Sequence, residues 1–193
     1  MDAPVAVLWV WSVFFAIMAA SSAYRLALAG DLAGRRAGID RVDEAADLLM
    51  CLGMLAMVSP LGGPVPLAGW RAIFVAAAVA LGAAWWRRRR SLSGSTRCGH
   101  HAVMAAAMAY MLIAVPHDDH SADPWLTMSG HGGSLEHWPL AVAALAYCAV
   151  DIAVGVPRVL RAPAGQGIGG ERARAVSRVA GSAGMGAMLA VMM

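Results

Sequence analysis

The 193-residue chain contains no lysine and no asparagine, and only 14% of its residues are charged. A soluble domain carries roughly 25% charged residues, so the polar cover of a water-facing globule is missing. Basic charge rests on 15 arginines alone. Lysine and asparagine have AT-rich codons, so their absence points to a high-GC bacterial genome. The net charge of +3 is then no sign of a nucleic-acid partner. Cysteine is scarce as well: three residues without CxxC spacing exclude a disulfide scaffold and a zinc knuckle. Cys51 and Cys148 fall in apolar runs and read as small apolar residues, while Cys98 sits beside a basic loop.

Catalytic signatures are also missing, and no enzyme is expected. There is no HExxH, no phosphate loop, and no GxSxG around Ser12, Ser21 or Ser22. The stretch GQGIGG follows no strand, so it is not a nucleotide fingerprint. A bis-histidine haem lacks its second histidine on a facing span, whereas a Met/His pair stays open. Residues 5–20 could form a signal-peptide core before Ala20-Ser21-Ser22-Ala23. The region ahead of them has Asp2 and no basic residue, so they read as a retained helix.

What the chain has in quantity is apolar sequence, 60% of its residues. A span needs about 20 mostly apolar residues, and six runs qualify: Val5–Leu28, Val42–Ser59, Ala68–Trp86, Gly99–Pro116, Trp138–Val156 and Ala175–Met193. The sixth is interrupted by Arg178, leaving five spans if it does not cross. Arginines fill loops one, three and five, including Arg35 and Arg36, Arg87 to Arg90, and Arg158, Arg161, Arg172 and Arg174. Loop two has no charge, and loop four has acids and histidines but no arginine. Arginine stays cytoplasmic, which puts the N-terminus outside. The expectation is an all-α, polytopic transmembrane bundle forming one domain over residues 1–193, multi-pass in a bacterial plasma membrane. Trp9, Trp11, Trp70, Trp85, Trp86 and Trp138 lie near span ends, as an aromatic belt would place them.

Methionine is unevenly placed. Ten of the twelve after Met1 fall in spans two, four and six. Met50, Met54 and Met57 recur at i, i+4, i+7, and so do Met104, Met108 and Met111, so each triplet covers one helix face. Met185, Met188 and Met192 form a similar stripe. Asp47 precedes its triplet by three residues and His101 precedes its own by three, so DLLMCLGMLAM and HAVMAAAMAYM superpose. Such stripes serve helix packing. Thioethers are also soft ligands suited to Cu(I), and imidazole binds copper or zinc.

Ionisable residues collect at the inner ends of these spans: Asp43, Glu44 and Asp47, His100 and His101, and Asp151 inside span five. Such residues usually face the bundle interior or a watery cavity. Arg158 is a possible partner for Asp151. Asp43 and Glu44 also suit a helix N-terminus, with Arg41 as their partner. Loop four adds His117, His120, His131 and His137 among carboxylates, a mixture suited to Zn(II) or Cu(II).

DEAADLLMCLGMLAM, the arginine-rich middle loop and HHAVMAAAMAYM together resemble an uncharacterised family of small membrane proteins from high-GC Gram-positive bacteria. That resemblance implies fold and location and no catalytic residues. Three functions follow as expectations. The first is metal handling, with copper or another transition metal held by His100, His101, Met104, Met108, Met111, Asp47, Met50, Met54, Met57, His117 and His120. The second is an accessory subunit whose partners are the lipid bilayer and other membrane proteins. The third is a proton-coupled carrier using Asp151 and the inner histidines.

Overall fold

The computed structural model describes residues 5–31, 41–59, 65–88, 95–114, 138–163 and 170–192. They form six helices: α1 (Val5–Asp31), α2 (Arg41–Val58), α3 (Leu67–Arg88), α4 (Ser95–Ala114), α5 (Trp138–Arg161) and α6 (Glu171–Met192). Each coincides with one expected span. The largest departure is in α5, which continues past Val156 and carries Pro157 in its last turns. Proline there removes one backbone hydrogen bond. The helix nevertheless runs on to Arg161.

The helices pair as three hairpins, α1–α2, α3–α4 and α5–α6. Three helices, over Ala6–Leu28, Leu67–Arg87 and Trp138–Arg161, are long and apolar enough to cross a membrane. They are the first members of the hairpins, and they form the outside. Ile17 is 63% exposed, Val79 67%, Val150 61% and Leu160 75%. A water-soluble protein seldom shows so much continuous apolar surface, whereas lipid demands it.

Of the second members, α2 packs against both α4 and α6 at the centre. Among the described residues Met50, Met54, Met57, Met104, Met108, Met111, Met185 and Met188 all lie in one buried cluster. Helices surrounded by other helices need not be apolar all round. That is why α2 and α6 tolerate charged first turns and fall short of a span by hydropathy. At 18 residues α2 is about 27 Å long, close to the roughly 30 Å hydrocarbon core.

Each of the first two outer helices also leans on a neighbouring hairpin. Phe74 of α3 packs on Gly53 of α2, and Phe15 of α1 packs on Gly184 of α6. A Cβ on Gly53 would overlap the Phe74 ring, and one on Gly184 would meet Phe15 Cζ at 2.6 Å. Close approach through small residues is how membrane helices gain packing. Gly53→Ala is therefore expected to destabilise the bundle by about 1–3 kcal/mol. The check is the thermal midpoint of the detergent-solubilised protein. Gly82→Ala, whose Cβ meets nothing within 4 Å, is the control.

Trp70 departs from the aromatic belt. It is 5% exposed and stacks on Phe74 with centroids 5.9 Å apart, so it belongs to the core. Trp9, Trp85, Trp86 and Trp138 are exposed.

Candidate functional site

The first turns of α2 and α6 and the start of α4 surround a cavity of about 390 Å³. Asp43 and Glu44 stand in the first turn of α2 and Glu171 in that of α6. Helix N-termini favour negative charge there. Four carboxylates line the chamber (Asp43, Glu44, Asp47 and Glu171), against three guanidiniums (Arg158, Arg174 and Arg178) and two imidazoles (His100 and His101). Asp43, Glu44, Asp47, His100 and His101 of the expected cluster thus line one chamber, while Asp151 is not part of its lining.

Two buried ion pairs frame it. Arg25 of α1, 3% exposed, donates from Nε to Glu44 Oε2 at 2.7 Å. Its Nη2 donates to Ser22 Oγ at 2.9 Å and to Ser177 Oγ at 3.4 Å, so one guanidinium ties α1 to α2 and α6. Glu44 therefore pairs with Arg25, where the sequence offered Arg41. Asp151 of α5 pairs with Arg178 of α6, where the sequence offered Arg158. Arg178 Nε donates to both carboxylate oxygens at 3.0 and 3.2 Å, and Nη2 makes a further contact with Oδ1. Ser182 Oγ donates to Asp151 Oδ2 at 2.8 Å.

His100 links the second of these pairs to α4, and His101 approaches Asp47 of α2. His100 Nδ1 lies 2.9 Å from the Tyr147 hydroxyl and 3.7 Å from Asp151 Oδ1. His101 Nδ1 lies 3.7 Å from Asp47 Oδ1, so the two residues that head the superposed methionine stripes face each other.

Below the chamber lies a void of about 20 Å³. It shares Asp47, His100, His101 and Arg178 with the chamber and adds Met50, Cys51, Met54, Met104, Ser177, Gly181 and Ser182. A probe volume of ~10–15 Å³ holds one water, so the void takes one small occupant. All eight methionines belong to the buried cluster, and Met50, Met54 and Met104 among them also border the void. His117 and His120 lie outside the described residues. Among the described residues no group of three His, Cys, Asp or Glu could hold a metal ion.

Sequence reasoning missed Arg25, Tyr147, Ser177, Arg178 and Ser182 as site residues. Arg25 had a signal, an arginine with Ser21 and Ser22 just before it inside an apolar run. So did Arg178, a charge inside a span.

Helical hairpins enclosing a polar chamber, with three long apolar helices outside, define a membrane-type α-bundle. Residues 39–192 match the family described as Domain of unknown function (DUF5134), and the chain belongs to that family. The match covers α2 to α6 and agrees with the family resemblance in the sequence; α1 lies outside it. No curated protein and no solved structure matches the chain.

Proposed function

We propose that the chain is a six-span protein of a bacterial plasma membrane, N-terminus outside, that handles a soft transition-metal ion, with Cu(I) the best chemical match. One observation carries the reading. The void beneath the chamber gathers three thioethers, one thiol and two imidazoles from α2 and α4. Thioether and thiolate ligands select Cu(I), and imidazole accepts copper. The carboxylates of the chamber mouth attract cations toward it. The arginines of loops one, three and five support a cytoplasmic chamber. The deeper methionines seal the centre, so the void is a holding site above a closed core.

The test is a Cu(I) titration of the detergent-purified protein against a chelator of known affinity, under reducing conditions. Wild type is expected to bind one ion per chain, and Met50→Leu/Met104→Leu to lose affinity by about tenfold or more, roughly 1.4 kcal/mol per decade. Methionine and leucine have similar volumes, so the fold should survive. Binding by neither protein, with equal stability, would overturn the reading. The stripes would then be packing, and co-purification with other membrane subunits becomes the next measurement.

A further inference from the structure

The three inner helices share one pattern when aligned by position. In α2 it is Asp47, Met50, Met54 and Met57; in α4 it is His101, Met104, Met108 and Met111. In α6 the same spacing reads Arg178, Gly181, Met185 and Met188. The three polar heads all line the chamber. The second and third methionine levels are filled from all three helices and buried. The first level is filled twice, by Met50 and Met104, and its third position is glycine.

That glycine has no packing reason. A Cβ on Gly181 would meet nothing within 4 Å, while on the same inner faces Gly53 and Gly184 are closed by phenylalanine rings. Glycine inside a helix costs about 0.5–1 kcal/mol relative to alanine. Gly181 therefore weakens α6 without improving its packing, and its effect is space: it lines the void of about 20 Å³. A third methionine would occupy that space with its own side chain.

We propose that Gly181 holds open a single-ion site among the three inner helices, where Met50 and Met104 with the adjacent imidazoles take a soft monovalent cation. The inference rests on the metal reading above and adds what determines the site. Asp47 supplies negative charge beside the ion, and Asp151 balances the charge of Arg178.

The experiment titrates Cu(I) into the full chain in detergent for wild type, Gly181→Ala, Gly181→Leu and Gly82→Leu, with melting temperatures on the same samples. Gly82 also faces open space but lies on α3, away from the void. Expected are one ion in wild type and in Gly82→Leu, several-fold weaker binding in Gly181→Ala, and at least a hundredfold loss in Gly181→Leu. If Gly181→Leu does not fold, the wild-type, Gly181→Ala and Gly82→Leu comparison decides. Unchanged affinity in the Gly181 variants, with affinity still lost in Met50→Leu/Met104→Leu, would overturn the inference and leave the metal reading standing, the methionines then binding without the space at Gly181. No binding by wild type or Gly82→Leu would overturn the metal reading itself. A raised melting temperature of Gly181→Ala would then show the void to be an unfilled packing gap, which overturns the inference as well.

Discussion

Glu44→Met is expected to destabilise the bundle by about 3–5 kcal/mol, the usual cost of leaving a buried charge without its partner. Arg25 is 3% exposed, and among the described residues its other hydrogen bonds go to the hydroxyls of Ser22 and Ser177. Neither hydroxyl can balance a full charge. Methionine keeps the side-chain bulk, so lost packing contributes little. The sign of the double variant is the sharper test. Arg25→Met/Glu44→Met removes both charges and should recover most of the loss, because replacing a whole buried pair by apolar groups is often neutral. Thermal midpoints of the four proteins in one detergent make the cycle. A double variant as unstable as Glu44→Met alone would show that shape, and not charge, holds α1 to α2.

The second large effect is an asymmetry. Arg178→Met should cost about 3–5 kcal/mol, and Asp151→Asn clearly less. The Asp151 side chain is 7% exposed, and that of Arg178 27% and part of the chamber wall. Removing the arginine leaves a carboxylate with Ser182 as its nearest donor, at 2.8 Å, and His100 at 3.7 Å. Removing the carboxylate's charge leaves a long side chain that can extend its head into the chamber, as arginines do at membrane boundaries. Midpoints of the two single variants and of Asp151→Asn/Arg178→Met decide it. Equal losses would mean the chamber gives Arg178 no outlet.

Much of the fold was legible because polar loops punctuate apolar runs, and each of the six runs became a helix. The ends were less legible. The fifth run was bounded at Val156, yet α5 continues through Pro157 to Arg161. The site was legible only in part. Superposing the two methionine stripes placed Asp47 and His101 at matching heights, and they do face each other. Pairing across helices was not accessible. Arg158 lies seven residues from Asp151 on the same helix, about 10 Å along the axis, and the partner actually used is on α6. Which helix faces which depends on hairpin arrangement, and linear spacing carries no record of it. The partners of Arg25 were inaccessible for the same reason. The third repeat is hidden in the sequence because Gly181 stands where its first methionine would be, which separates Met185 and Met188 from their polar head Arg178.

Phe15 and Arg25 on the first helix find partners, Gly184 and Ser177, on the last. In a chain made from its N-terminus forward, those contacts cannot form until α6 has been made. Until then the first hairpin holds an aromatic side chain without its seat and a guanidinium with one of its tethers missing. A chain interrupted before α6 therefore leaves both contacts unmade, and its first helix is held by α2 alone.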